Sequence, residues 1–361
     1  MNNIKKIGLT ALAGSLVSLG SVNAGEMSVS GGINTTLKFG KGGGNTSRGI
    51  GTDRDVSFTG GGELDNGTTF SMNTTMDDDF GVSGSTTTIV TPSLGTFTLG
   101  AGTGSAAGAY DEEVPQAYEQ VSDAKETMAN QVGNFMDNNY IGYTSPTLEM
   151  MGASITAHLS YSPQATDVLV NDGGQPTYSA TVGAGKEAGV TIAYEGLKLG
   201  FYGAERERTV PKVVGTTGGY ESDEFNGVWY ATYSMGPVSI GYSESYMDAG
   251  VTQANESTTA SKAERTAGGI FEGEQMSIAF NVNDNMSISY TSSEEVYDTQ
   301  DDAKTAVTTD DDVTESIDAI QVAYSMGGMS IKAYNMEVSN PDQDDDAADQ
   351  SVTEIALGFA F

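Results

Sequence analysis

The sequence lacks cysteine and contains one histidine, His158, among its 361 residues. Without cysteine the chain forms neither disulfide bonds nor thiolate metal sites. A single histidine excludes metal sites built on histidine pairs within one chain, and it leaves a Ser-His triad only one possible base. An enzyme is therefore the weaker hypothesis, and we expect no catalytic residue, no metal ligand set and no cofactor.

Basic residues are scarce as well, with 16 Lys and Arg against 49 Asp and Glu, a formal net charge of -33. Nucleic acid is excluded as a partner, because neutralising phosphates requires clustered Lys and Arg. Long apolar runs are also absent after Ala24, where nothing approaches the ~18 residues of a transmembrane helix. The 17 Tyr and 12 Phe argue against disorder, which depletes aromatic residues.

The first 24 residues have the pattern of an export signal. Lys5 and Lys6 precede an apolar stretch over 7–22, and Val22-Asn23-Ala24 offers small side chains for cleavage after Ala24. We expect a signal peptide over 1–24 and one domain over 25–361, with 14 basic and 49 acidic residues in that domain. Export leads to the periplasm, the outer membrane or the medium.

Apolar and polar residues alternate along most of the remaining chain. In one segment Met286, Ile288 and Tyr290 fall on one face, while the intervening residues are Ser or Thr. A period of two is typical of β-strands. The pattern predicts sixteen strands, at 27–39, 53–64, 68–76, 80–91, 96–104, 139–145, 152–162, 188–195, 197–207, 225–235, 238–247, 269–283, 286–296, 316–326, 329–339 and 352–361.

Short and long connections alternate between these strands, apart from 77–79, which is a brief link where a long one is due. Asp284-Asn285 and Gly327-Gly328 are tight turns, whereas 105–138 and 248–268 are long and polar. Such alternation is typical of a membrane barrel whose two ends face different compartments, and a Greek-key sandwich does not produce it. The sequence therefore predicts an all-β fold, a sixteen-stranded antiparallel transmembrane β-barrel with both termini at the periplasmic end.

The two faces of the strands differ in a way that orients the barrel. The polar face consists mostly of Ser, Thr, Gly, Ala and Asn, too small to fill the core of a soluble barrel. The apolar face should therefore contact lipid and the polar face a water-filled lumen. One strand is an exception, because Glu272 and Glu274 share the face of Met276, which predicts a bulge or a position at the rim. Aromatic residues expected in the outer girdles are Phe39, Tyr161, Tyr194, Tyr233 and Phe359.

The third long connection, between Gly104 and Asn139, is rich in acidic residues. After Pro115 its apolar residues have helix-compatible spacing. Strand parity places several basic residues on the lumen side. The acidic residues of the loop are Asp111, Glu112, Glu113 and Glu119, and the lumenal basic residues are Lys38, Lys198, Arg206, Arg208 and Lys332.

The chain resembles the general trimeric porins of Gram-negative bacteria, in particular those of alphaproteobacteria. The resemblance rests on the order of the signal peptide, the strand rhythm, Met27-Ser-Val-Ser-Gly-Gly-Ile33, Gly62-Glu-Leu-Asp-Asn-Gly67 and Ala356-Leu-Gly-Phe-Ala-Phe361. It implies an outer-membrane homotrimer for passive diffusion of small hydrophilic solutes and ions, surrounded by lipid and lipopolysaccharide. It also implies that Phe361 is an assembly signal for the barrel assembly machinery and that 106–134 fold inward as the constriction.

The resemblance further implies a transverse field between acidic and basic residues at the constriction. Asp111, Glu112, Glu113 and Glu119 would face a basic wall, with Arg206 and Arg208 opposite the start of the loop and Lys38 nearby. Solvated rim charges are the alternative interpretation of these basic residues. The acidic excess predicts a cation-preferring pore. The alternative function is an acidic surface or adhesive protein of the outer membrane without channel activity.

Two runs of aspartate in predicted external loops could hold Ca²⁺ or Mg²⁺, namely 310–312 and 344–346. They lack the ligand spacing and turn glycine of an EF-hand, so solvated charge is the favoured interpretation. His158 faces the lumen by strand parity and is expected to be a solvated polar residue.

Overall fold

The computed structural model describes residues 26–42, 48–78, 81–123, 132, 136, 139–165, 182–208, 223–248, 270–298, 313–343 and 346–361. The expected signal peptide over 1–24 lies outside these residues. Within them the chain forms antiparallel strands joined in one sheet. The strands are β1 (Glu26–Lys41), β2 (Arg48–Glu63), β3 (Thr69–Met76), β4 (Val82–Thr91), β5 (Gly95–Ala101), β6 (Asn139–Thr144), β7 (Leu148–Met150), β8 (Ala153–Ser162), β9 (Val182–Tyr194), β10 (Leu197–Arg208), β11 (Glu224–Met235), β12 (Val238–Asp248), β13 (Ile270–Asn283), β14 (Met286–Asp298), β15 (Val313–Met326), β16 (Met329–Ser339) and β17 (Gln350–Ala360).

The sheet closes on itself because β1 pairs with both β2 and β17. At this seam the backbones of Gly31 and Phe361 exchange two hydrogen bonds, with N···O distances of 3.1 and 3.0 Å. The short strand β7 and strand β6 both pair with β8, so together they make one interrupted wall strand. The wall is thus a closed barrel of sixteen antiparallel strands, as the sequence predicts.

The predicted alternation of connections is confirmed by the strand bounds. Short turns join the strands at one end of the barrel, and the long connections lie at the other, where residues 77–81 between β3 and β4 are the one short link that interrupts the alternation. The amino end of β1 and the carboxyl end of β17 lie at the short-turn end. Short 3-10 turns lie at Ala106–Ala109, Val121–Asp123 and Pro341–Gln343.

The outer surface of the barrel is apolar, as expected. Ile278, Phe280, Ile288 and Leu357 are all exposed although they lie mid-strand. In a bilayer these side chains would contact hydrocarbon. A soluble protein shows the reverse arrangement, with its apolar side chains buried in the core. The five aromatic residues predicted on this outer face are likewise exposed: Phe39, Tyr161, Tyr194, Tyr233 and Phe359.

Glutamates occupy the outer face near the long-loop end of β13. Glu274 is directly opposite Glu244 on β12 and Glu294 on β14, in continuous register. The bulge considered for this strand is therefore not at Glu272 and Glu274, since the register shift lies between Asn281 and Asn283. The residues form an outer acidic row, which we define as Glu244, Glu274 and Glu294.

Aromatic residues border the outer acidic row. The indole of Trp229 and the hydroxyl of Tyr242 both donate hydrogen bonds to Glu244, over 2.8 and 2.6 Å. The amphipathic rings of Trp and Tyr favour the level of lipid headgroups. The row therefore lies at the upper edge of the apolar belt.

Candidate functional site

The connection between β5 and β6, hereafter loop 3, forms hydrogen bonds with side chains of the barrel wall. Its described residues are 102–123, 132 and 136. At its start the Ser105 hydroxyl donates to Glu187 on β9 over 2.7 Å, and the Ala106 amide donates to Ser160 on β8 over 3.2 Å. Strand parity turns both wall residues inward, and both are buried beneath the loop.

Tyr110 packs loop 3 against strands β8 to β11. Its ring is fully buried and stacks on Tyr202 with 5.1 Å between ring centroids, and its hydroxyl lies 2.6 Å from Nδ1 of His158. Gly189 leaves the space for this ring, because a Cβ atom there would overlap the Tyr110 side chain. Burial raises the pKa of Tyr110 well above its ordinary value, so the phenol stays neutral.

Further along, the backbone of loop 3 is held by side chains of β14 and β15. The Ala117 amide donates to the Ser289 hydroxyl over 2.9 Å. Gln321 binds the loop twice, accepting from the Tyr118 amide over 2.7 Å and donating to the Glu119 carbonyl over 2.7 Å. These buried wall residues replace the water that a loop backbone normally binds.

Tyr118 connects loop 3 to β17, the last strand of the wall. Its hydroxyl donates to Glu354 over 2.7 Å, and Tyr334 on β16 donates to the other carboxylate oxygen over 3.2 Å. The pKa of Tyr118 is raised above its ordinary value, mainly by burial and then by the hydrogen bond to Glu354. Lys332 lies over the Tyr118 ring, with 4.9 Å from Nζ to the centroid. Loop 3 thus contacts wall residues from β8 round to β17.

The four acidic residues expected at the constriction have different environments. Glu112 is buried and accepts hydrogen bonds from Gln275 over 2.6 Å, from the Val121 amide over 3.2 Å and from the Ser122 hydroxyl. It holds the loop to β13 and presents little charge to solvent. Asp111, Glu113 and Glu119 are partly exposed, and Glu113 forms an ion pair with Lys198.

Arg206 and Arg208, which are expected opposite the acidic start of loop 3, form ion pairs within the wall. Both guanidinium groups bind Glu224 on the neighbouring strand β11, over 2.6 and 2.7 Å. This carboxylate is a wall residue, and the cross-strand register brings Arg206 directly opposite it.

The lysines have carboxylate or aromatic neighbours of their own. Lys38 lies 3.3 Å from Glu354, and Lys198 lies over the Tyr230 ring at 4.9 Å while it pairs with Glu113. Sequence reasoning identified the charged ends of this network but missed the residues that seat loop 3. The sequence does carry a signal for these residues. Gln275, Gln321 and Glu354 are large polar side chains on the inward faces of strands whose other inward residues are mostly small.

Metal binding has no further support in the part of the chain that is described. There, no group of three or more His, Asp or Glu side chains is placed to hold a metal ion. The runs over 310–312 and 344–345 lie outside the described residues, while Asp346 lies within them. Among the described residues, no helix is long and apolar enough to cross a membrane.

Comparison with known proteins relates this barrel to a family. A sequence model of Gram-negative porins matches residues 8–211, more than half of the chain. The chain belongs to the Gram-negative porin family. Family and fold together support an outer-membrane porin channel. A comparison with curated protein sequences finds no match.

Solved structures share the porin fold at low sequence identity. An anion-selective porin from Comamonas acidovorans superposes with a TM-score of 0.65 at 13% identity, covering 93% of this chain and 100% of the other. OmpF of Salmonella typhi, in complex with daunomycin, gives 0.63 at 10% identity, with 94% and 98% covered. The trimer form of OmpT from Vibrio cholerae gives 0.58 at 14% identity, with 94% and 100% covered.

Proposed function

We propose that this porin is a passive, non-enzymatic diffusion channel for small hydrophilic solutes and ions, and that loop 3 forms its constriction. The observation that carries the proposal is the attachment of loop 3 to inward-facing residues on opposite parts of the wall, from Ser160 on β8 to Glu354 on β17. A loop fixed in this way narrows the lumen without filling it, since hydroxyl side chains on β2 to β5 keep partial exposure.

Cation preference is the second part of the proposal. Asp111, Glu113 and Glu119 are partly exposed on loop 3, and the basic residues nearest to them are bound to carboxylates or tyrosine rings. Partly exposed carboxylates at a narrow, water-filled passage concentrate cations. A common fold does not decide this property, because the Comamonas acidovorans relative is anion-selective.

The assembly and surroundings of the channel are proposed on other grounds. A homotrimer is supported by the trimer form of the Vibrio cholerae relative. The exposed apolar belt fits outer-membrane lipid, and the outer acidic row fits the headgroup level, where lipopolysaccharide lies. Phe361, at the closing seam of the barrel, is proposed as the residue that the assembly machinery reads.

Conductance across a planar bilayer tests the channel directly. The purified full-length protein should produce discrete current steps in KCl, and reversal potentials in a salt gradient should favour cations. Properly folded barrels without any conductance would favour the alternative of a surface protein without channel activity. An anion-selective current would instead retain the channel and overturn only the cation preference.

A further inference from the structure

The interior wall of this barrel is divided into two sectors of different chemistry. On β12 to β15, the inward hydroxyl residues lie beneath loop 3, and Ser243, Ser277 and Ser289 are nearly fully buried. On β2 to β5 the inward hydroxyl residues are partly exposed. The open lumen therefore borders β2 to β5, a surface that we define as the hydroxyl sector.

Cross-strand register shows that the hydroxyl sector is continuous. Inward residues stand opposite each other from strand to strand, as Ser57 does to Thr75, and Asn73 to Thr86. Ser57 and Thr75 share a hydrogen bond of 2.8 Å between their hydroxyls. The polar residues that form the middle of the sector are Ser57, Asn73, Thr75, Thr86, Thr88 and Thr98.

The charged residues on the interior side of this part of the wall are acidic. Strand register places Asp53, Asp55 and Glu63 on the interior side of β2. Among the described residues on the interior side of β2 to β6, there is no Lys or Arg. The lumenal Arg206 and Arg208 lie on β10 and bind Glu224. A solute passing between loop 3 and the hydroxyl sector thus has carboxylates on the loop side, and on the other side hydroxyls together with the carboxylates of β2, with no basic residue on β2 to β6 among the described residues.

We propose that this passage selects uncharged polyhydroxylated solutes, that is sugars and polyols, over their carboxylate derivatives of the same size. This inference rests on the proposed channel function and specifies its solute class. A hydroxyl both donates and accepts hydrogen bonds, so the hydroxyls of this sector replace the water that a sugar loses at a narrow passage. A sugar acid finds no cation on this wall, and the carboxylates of loop 3 repel it.

Uptake into liposomes tests the selection with three compounds of similar size. Glucose is neutral, glucosamine is cationic and gluconate is anionic at pH 7. With radiolabelled compounds in KCl, we expect the wild-type protein to admit glucose at least about threefold faster than gluconate, the ratio that one net hydrogen bond represents. Gluconate entering as fast as glucose would overturn the selection.

Two variants separate the role of the hydroxyls from that of size. Thr86→Val with Thr98→Val removes two hydroxyls at nearly constant volume, and should lower glucose uptake relative to KCl conductance. Thr86→Arg with Thr98→Arg provides the missing basic wall, and should raise gluconate uptake relative to glucose. Thr87→Val, on the outer side of β4, is the matched control and should change neither ratio. An unchanged glucose ratio in the valine pair would overturn the role of the hydroxyls.

The same preparation distinguishes failure of this inference from failure of the channel function. Circular dichroism establishes that each variant is a folded barrel before uptake is measured. Folded wild-type protein without KCl conductance would count against both proposals. Normal KCl conductance with equal uptake of glucose and gluconate would leave the channel in place and remove only the solute class.

Discussion

The hydroxyl of Tyr118 in loop 3 donates a hydrogen bond of 2.7 Å to Glu354 in the last strand, 236 residues further along the chain. Glu354 also lies 3.3 Å from Lys38 in the first strand. One carboxylate therefore joins loop 3 to the strands that close the barrel. The position of the loop and the closure of the wall are coupled at this point.

Replacing Tyr118 with Phe should loosen loop 3 while the barrel remains folded. The ring is retained, but the buried Glu354 loses a donor, at a cost of about 1–3 kcal/mol. We expect larger fluctuations of the open-channel current in bilayer recordings. Tyr242→Phe is the matched control, because that hydroxyl binds Glu244 on the outer wall. Equal current noise in wild type and Tyr118→Phe would contradict the anchoring role.

Replacing Gly241 with Ala should displace loop 3 from its seat on β12. A Cβ atom at this position would overlap Pro115 and lie 3.1 Å from the Cα atom of Val114. Overpacking of this kind costs about 1–3 kcal/mol, so we expect altered single-channel conductance in a stable barrel. In Gly203→Ala the new Cβ meets only ordinary contacts, and conductance should be unchanged. Identical conductance for both variants would show that the constriction does not depend on this seat.

Neutralising Asp111 and Glu119 together should reduce the cation preference. A unit charge ~8 Å away in water changes a cation's energy by about 0.5 kcal/mol, roughly a twofold effect for each residue. Reversal potentials of Asp111→Asn with Glu119→Gln measure it, at low salt and at 1 M, where the Debye length of ~3 Å should remove most of the difference. Glu205→Gln, on the outer face of β10, is the control. Unchanged selectivity at low salt would mean that other carboxylates line the narrowest point.

Alkaline pH should release loop 3 through its buried tyrosines. The raised pKa of Tyr118 means that the folded state holds the proton more tightly than the unfolded state. Its stabilising contribution is therefore complete below the ordinary tyrosine pKa of about 10, and declines as pH rises above that value. Current noise should stay constant from pH 5 to about 9 and increase above 10. Noise that rises already below pH 8 would indicate a different titrating group.

Replacing Phe361 with Ala should reduce the amount of assembled barrel in the outer membrane. Its side chain is exposed beside the seam and lies over Gly31, where a Cβ atom would come within 2.9 Å of the ring. The backbone bonds of the seam remain in this variant, so a loss reports on the side chain. Phe39→Ala, at the other end of β1, is the control. Surface levels equal to wild type would exclude Phe361 as an assembly signal.

The sequence predicted the wall of this porin well because each strand carries its own period. The placement of Lys198, Arg206 and Arg208 on one face of β10 follows from parity alone, and in the structure these residues pair with Glu113 and Glu224. Strand β7 was not predicted, because its three residues are too few for a period to be recognised. Outward Glu272 and Glu274 conflicted with the apolar pattern, and only the continuous register shows that they lie together with Glu244 and Glu294.

The contacts that hold loop 3 on the wall could not be predicted from the sequence, for a different physical reason. Gln275 and Glu112 are 163 residues apart, and Tyr118 and Gln321 are 203 apart. Such contacts depend on the closed barrel and leave no local period in the sequence. The ion pairs of Arg206 and Arg208 with Glu224 could not be predicted for the same reason, since they depend on the register of β10 with β11.

The position of the outer acidic row also sets an upper limit to the part of the barrel that hydrocarbon can cover. Three opposed glutamates are costly to bury in hydrocarbon. On β13 the hydrophobic belt therefore extends from the residue after Glu274 to the turn that follows Asn283. The nine residues from Gln275 to Asn283 extend about 30 Å along the strand, which a tilt of about 40° reduces to about 23 Å across the membrane. Bacterial outer membranes are thinner than the average bilayer, and the height of this belt matches such a membrane.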